Sequence, residues 1–509
     1  MAKYLLGVDI GTSGTKTVLF DQGGGTVASA TVEYPLYQPR IGWAEQDPRD
    51  WWRAVHESIA QVMAGRDPDE VAGIGLSGQM HGMVLLDERD EVLRPSIIWC
   101  DQRTQRECDQ ITEIIGRERL IEITANPALT GFTASKVMWV KNNQPEIFAR
   151  IRRILLPKDY VRLRLTGEYA TEVSDASGMQ FLDVPHRCWS AEVVGKLGLD
   201  MAWLPQVYES YEISGRLTKE AAELTGLRPG TPVVGGGGDQ AAGAVGNGIV
   251  REGIVSATLG TSGVVFAHTD EVRIDPRGRV HTFCHAVPGC WHIMGVTQGA
   301  GLSLQWFRNN FCGEERELAR FMEVDPYELM AREAEQARPG CNGLIYLPYL
   351  MGERTPHLDP NAKGAFFGLS AIHDRRDMIR AVMEGVSYSM LDCLSIIREL
   401  GAQPAEVRAS GGGGRSPLWR SMLADMFETD VTTINAKEGP ALGVALLAGV
   451  GTGVYASVPE ACQAVISQST LQHPDGERSA VYRRFYPVYQ GLYGALKPQY
   501  DRLAQILED

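Results

Sequence analysis

Two carboxylates, Asp9 and Asp239, have glycine, hydroxyl and lysine neighbours of the kind that handle a small anion. Asp9 ends a short apolar run, YLLGVD, and opens the loop Asp9-Ile10-Gly11-Thr12-Ser13-Gly14-Thr15-Lys16. Glycines there let the backbone approach a ligand closely, and the hydroxyls of Thr12 and Ser13 with Lys16 offer hydrogen bonds to its oxygens. Asp239 follows four glycines, Gly235 to Gly238, so its side chain stands in uncrowded space near a helix start. Both have a local reading as well, Asp9 as a cap of its turn and Asp239 as a helix N-cap.

The first loop has an echo. LGTSGV at 259–264 repeats IGTSGT at 10–15 after 249 residues, nearly half of the 509-residue chain. Each copy lies between two short apolar runs, which predicts strand, glycine turn, strand. The spacing predicts two related domains, 1–247 and 248–509, each opening with a glycine hairpin, and together the hairpins are placed to clamp phosphates through Gly11, Thr12, Ser13, Lys16, Gly260 and Thr261. A Walker A loop is excluded because GxxxxGK[ST] is absent, and a dinucleotide fold because neither hairpin runs directly into a helix.

The elements that must carry these groups follow from patterning. Tyr4 to Asp9, Lys16 to Asp21 and Thr26 to Glu33 read as a meander of strands. The first helix starts after Asp47, a good N-cap before Pro48, with Trp52, Val55, Ile59, Val62 and Met63 on its apolar face. Thr231 to Val234 and Val407 to Ser410 each read as a strand running into a glycine turn and a helix, which bring backbone N–H groups and a helix N-terminus to an anion; Gly412 and Gly413 belong to the second turn.

Composition narrows the function classes. With 49 basic against 63 acidic residues the net charge is −14, which disfavours nucleic acid and anionic membranes. The nine cysteines are scattered without a CxxC and read as reduced thiols of a cytoplasmic protein. The N-terminus meets Asp9 before any apolar run of signal-peptide length, so export is not indicated. Gly439 to Val458 lacks charge, but its glycines predict one buried helix from about Pro440 to Val450 rather than a membrane span. His281, Cys284, His285, Cys290 and His292 invite a zinc reading, yet Val280–Cys284 and Trp291–Met294 read better as strands joined at Pro288-Gly289. Direct metal ligands stay unassigned.

Taken in order, these stretches resemble the FGGY carbohydrate kinases along essentially the whole chain. GFTASKVMWVKNN at 131–143 is similar to the family's first signature, and GAFFGL at 364–369 with DMIRAVME at 377–384 to its second. SGGGGRS at 410–416 is similar to the adenosine-side loop. Within the family, GQMHG at 78–82, GWAEQDPRDWW at 42–52, WCDQR at 99–103, LLPKDYVRLRLTGE at 155–168 and SDASG at 174–178 resemble the xylulose-phosphorylating subgroup.

The resemblance implies an α/β fold of two ribonuclease-H-like domains, the actin/hexokinase type of ATPase, with a ligand cleft between them. It implies ATP and Mg²⁺, Asp239 as general base, and Asp9 orienting the hydrated metal. Met80, His81, Trp99, Asp101 and Gln240 would meet the sugar, expected to be D-xylulose phosphorylated on carbon five. Gln240 departs from the Asn common in that subgroup and matches glycerol kinases, so D-ribulose and glycerol remain alternative substrates. A nucleotide switch of the actin fold would keep the hairpins but has no use for GQMHG or WCDQR. The oligomeric state stays open, a homodimer included.

Overall fold

Three antiparallel strands open the chain as the meander reading expects: β1 (Tyr4–Ile10), β2 (Gly14–Asp21) and β3 (Thr26–Glu33). They belong to a computed structural model that describes residues 3–435 and 438–508. β1 is buried along nearly its whole length, as a central strand covered on both faces must be, whereas β3 at the edge is largely exposed. Helix α1 (Pro48–Met63) follows, with the Asp47 side chain accepting from the Arg49 N–H. Its buried indole is Trp51 rather than the expected Trp52, because the i, i+4 row running back from Ile59 and Val55 reaches residue 51.

β4 (Val71–Gly78) then pairs parallel with β1. A long excursion on top of the sheet contains α2 (Pro157–Thr166), and the chain returns through β5 (Ile213–Arg216) and β6 (Pro232–Val234). The sheet order is β5-β6-β4-β1-β2-β3. Helix α3 (Asp239–Gly246) leaves its centre.

The second half repeats this plan. Strands β7 (Ile254–Leu259), β8 (Gly263–Thr269), β9 (His281–Cys284) and β10 (Trp291–Thr297) precede α4 (Arg375–Glu399). β11 (Glu406–Ser410), α5 (Pro417–Phe427), β12 (Asp430–Ile434), α6 (Gly439–Gly451) and β13 (Gln468–Gln472) follow. The order β9-β10-β8-β7-β11-β12-β13 matches the first sheet strand for strand, with β9 added at one edge. β7 and β8 are antiparallel while β7, β11 and β12 are parallel, as are β1, β4 and β6. This is a doubled α/β architecture: the repeat predicts the two related halves, and the family resemblance their ribonuclease-H-like form.

The uncharged stretch after residue 438 is the buried helix α6, and among the described residues no helix is long and apolar enough to cross a membrane. Its glycines serve close packing instead. A Cβ on Gly443 would lie 1.9 Å from the Ala242 carbonyl oxygen, and one on Gly246 1.9 Å from that of Gly439, so α3 and α6 cross backbone against backbone. α6 also lies on the first sheet, where Gly7 and Gly75 leave room for the carbonyls of Ala441 and Val444. Leu5, Val18 and Phe20 from the first half share one apolar core with Val444 and Leu447 of α6.

Candidate functional site

Sheet register brings the two carboxylates to one end of the first sheet. Asp9 on β1 stands beside Ser77 on β4, and Ser77 beside Gly237, so Asp239 two residues later faces the same opening. The turn depends on Gly236, whose φ is +73° and whose Cβ would fall 1.9 Å from the Leu76 carbonyl oxygen. The N-cap position belongs to Gly238, so Asp239 is the first residue of the helix rather than its N-cap. Burial, and then the neighbouring Asp9, raise the pKa of Asp239 to about 7, while Gln240 donates to its Oδ1 from 3.3 Å. Burial also pushes Asp9 up, with Ser77 and Lys16 pulling the other way, and its Oδ1 has no hydrogen-bond partner, so it is no cap either. Two desolvated carboxylates facing each other suit a proton acceptor poised near neutrality and a cation between anions.

The glycine hairpins flank this pair. In the first, the Gly11 N–H donates to the Gly14 carbonyl at 3.0 Å, and the Gln46 side chain donates to the Thr12 carbonyl at 2.7 Å. Ser13 sits at the tip, and Lys16 on β2 forms an ion pair with Glu438 at the start of α6. In the second, the carbonyls of Gly260 and Thr261 accept from the N–H groups of Gly301 and Leu302 at 2.8 and 3.1 Å. The loop carrying Gly412 and Gly413 presses on the end of β7, where Gly411, at φ +78°, would bring a Cβ 2.5 Å from the Leu259 carbonyl oxygen. The second hairpin and the 410–416 loop therefore share one strand end.

Met80 and His81 leave β4 beside Asp239. A Cβ on Gly238 would touch Met80 Cγ at 2.9 Å. The His81 backbone adopts φ +69°, held by Thr133 Oγ1 and Lys136 Nζ, which donate to its carbonyl at 3.1 and 2.8 Å. Burial and then Lys136 drop the imidazole to about 3, so the ring is neutral; Nδ1–H donates to the Gly178 carbonyl at 2.9 Å and Nε2 remains an acceptor. Trp99 stays 43% exposed and donates from Nε1 to Thr12 Oγ1 at 3.0 Å, tying the sugar-side loop to the first hairpin.

Asp101 is placed differently from expectation. It is fully buried, and its carboxylate accepts from the Ala44 N–H at 2.6 Å and from Arg103 at 2.6 to 3.0 Å. Arg103 and Arg94 also hold Glu45, so Asp101 supports the loop carrying Trp99 instead of facing the cleft. Arg103 closes the WCDQR run itself, but Ala44 lies 57 residues away and the run alone gives no sign of it.

Other residues of the site were not singled out by sequence reasoning. Gln79, inside GQMHG, donates to Gln46 Oε1 at 2.7 Å and to the Gly11 carbonyl at 3.2 Å, locking sugar loop to hairpin. Beneath the Asp239 turn, the Gly238 N–H donates to Ser174 Oγ at 3.1 Å, and Ser174 donates to Glu172. Glu172 belongs to a buried ion cluster in which Lys158 lies 2.9 Å from Asp159 and 3.1 Å from Asp175. The LLPKDYVRLRLTGE and SDASG stretches carried the signal for Lys158, Asp159, Ser174 and Asp175, while Glu172 lies between them. The Cys/His run forms strands β9 and β10, as expected. Among the described residues the donors that converge are His268, Asp270 and Cys290, within 4.8 Å of one another. All nine cysteines are free thiols.

Comparison with known proteins gives this geometry a lineage. The N-terminal domain of the FGGY family of carbohydrate kinases matches residues 4–246, and its C-terminal domain residues 255–452. A xylulose kinase of Escherichia coli (strain K12) is 40% identical over 97% of this chain and 99% of its own. One of Bacillus subtilis (strain 168) is 38% identical over 96% and 97%. The ligand-bound xylulose kinase structure from Lactobacillus acidophilus superposes with a TM-score of 0.92 at 28% identity, covering 98% of this chain and 99% of that one. Both family domains are matched in order, and these relatives align over nearly the whole of both chains. The chain belongs to the FGGY family of carbohydrate kinases.

Proposed function

We propose that this carbohydrate kinase transfers the γ-phosphoryl group of ATP to the C5 hydroxyl of D-xylulose, giving D-xylulose 5-phosphate and ADP. The observation that carries the reading is Asp239, raised to about 7 and facing Asp9 below the glycine hairpins, with Met80 and His81 beside it. The sugar is supported by the end-to-end similarity to xylulose kinases.

The Asp239 carboxylate accepts the hydroxyl proton as the sugar oxygen bonds to phosphorus and the β,γ-bridge oxygen leaves with its electron pair on ADP. The turns Gly11-Thr12-Ser13 and Gly260-Thr261 hold the phosphates through the N–H groups and hydroxyls of Thr12, Ser13 and Thr261, Lys16 adds charge, and Gly412 and Gly413 line the adenosine side. The residues fit Mg²⁺: Asp9 offers a hard oxygen donor whose buried Oδ1 lacks any partner. When bound there, the hydrated ion supplies neutralisation of phosphate charge. His81 Nε2, Trp99 and Gln240 face the sugar, and Asp101 keeps Trp99 in place. The halves are taken to divide near residue 247, and the free thiols suit a reducing cytoplasm.

A coupled assay of ADP release across D-xylulose, D-ribulose and glycerol tests the assignment. D-Xylulose should give the highest kcat/KM, with phosphate on C5 by NMR. Equal or better turnover of glycerol or D-ribulose overturns the sugar and leaves the kinase class standing.

A further inference from the structure

Arg354 is a cation of the cleft wall to which the scheme above gives no task. Its loop is pinned on both sides. The Glu353 carboxylate accepts from Thr297 Oγ1 at 2.7 Å, the Gln298 N–H at 2.9 Å, the Arg354 N–H at 2.7 Å and Ser389 Oγ at 3.1 Å. Thr355 donates its N–H to the Val296 carbonyl at 2.9 Å, accepts from the Val296 N–H at 3.1 Å, and donates its hydroxyl to the Arg279 carbonyl at 2.9 Å. Residue 354 is thus fixed against Val296 on β10. Val296 packs on the apolar cluster that joins Met80 and Phe132 of the first half to Phe283 and Met294 of the second.

The guanidinium itself makes no hydrogen bond or ion pair within the described residues. It is half-buried, and Glu353 is the acid acting on it. A half-buried fork of five N–H donors that meets no protein acceptor among the described residues stays available to a ligand that brings oxygens. Its place along the cleft follows from its neighbours. Arg354 acts on His81 and His281, whose rings lie around Phe132 at 4.8 and 5.8 Å, whereas the charge acting on Asp239 is Asp9. An open-chain ketopentose with its C5 hydroxyl at Asp239 directs C1 and C2 away from that carboxylate, towards His81. Two adjacent oxygens, the C1 hydroxyl and the C2 carbonyl, match the planar fork of a guanidinium.

Resting on the D-xylulose reading, we propose that Arg354 is a specificity-determining residue whose guanidinium, carried by the C-terminal half, hydrogen-bonds the C1–C2 end of the ketose. The sugar then bridges His81 on one half and Arg354 on the other, which links recognition of the carbonyl end to closure of the cleft. A site built to bond an oxygen also discriminates against acceptors that lack it.

The test compares D-xylulose with glycerol, an acceptor that has the hydroxyl end alone. Arg354→Ala should raise KM for D-xylulose about 10–100-fold. KM for ATP and kcat/KM for glycerol should stay within about threefold of wild type. Arg354→Lys keeps the charge without the fork and should raise the D-xylulose KM by about tenfold; it carries the test if the alanine variant does not fold. An unchanged KM for D-xylulose, or an equal loss on both acceptors, overturns the assignment alone. A wild-type chain that ignores D-xylulose overturns the functional reading and this inference together.

Discussion

Because burial and Asp9 hold Asp239 at about 7, its basic form grows in as the solution passes neutrality. kcat/KM for sugar should therefore rise nearly tenfold per pH unit below 7 and level off above it, and Asp9→Asn should move the inflection to lower pH by removing one of the two causes. Asp239→Asn keeps the shape but cannot take the proton, so kcat should fall by about 10²–10⁴ with little change in ATP binding. The same shift fixes a stability effect. A carboxyl raised in the folded state favours its protonated form there, so its contribution is intact below the ordinary value of 3.8 and is lost as pH climbs through about 7. The Asn variant should then be more stable than wild type at pH 8 by up to about 4 kcal/mol and nearly equal at pH 4, read from thermal melts. A destabilised variant at pH 8 would count against a strained carboxylate. At this scale Asp9 and Asp239 were legible because glycines announced them. Asp101 and Arg354 were not: what each does depends on partners such as Ala44 or Val296 that only the fold brings near.

Strands and turns were the most legible elements, since the hairpins are local objects whose glycines and flanking apolar runs suffice to specify them. α6 was legible as a buried helix, but its landing place on the other half's sheet was not, for no short window encodes a packing partner. Its close crossing makes a paired prediction. Gly443→Val puts a Cβ on the Ala242 carbonyl and should cost about 3 kcal/mol or more, seen as a lower denaturation midpoint. Gly494→Ala, in the C-terminal helix Gly476–Glu508 where a Cβ would meet nothing, should instead gain about 0.5–1 kcal/mol. Equal effects at both positions would mean that the crossing is looser than the contacts indicate.

Two halves joined by a sugar give the whole molecule a way to hold back water, which competes with the ketose for the phosphoryl group. ATP hydrolysis without sugar should run at least about 10³-fold slower than ketose phosphorylation, and D-xylulose with a non-hydrolysable ATP analogue should shrink the radius of gyration in X-ray scattering. A fast sugar-independent ATPase would argue that the site is complete without closure. The location of α6 reaches further, into how the chain is made. The face of β1 and β4 around Gly7 and Gly75 is closed by α6, with α3 adding Ala241, Ala242 and Val245 to the same core. As the chain leaves the ribosome, roughly 190 residues separate the end of α3 from the start of α6. At ~5–20 residues per second that is about 10–40 s during which an apolar sheet face waits for its lid. A message broken before codon 451 therefore yields no self-sufficient first domain but a sticky fragment, and chaperones have that interval to shield it.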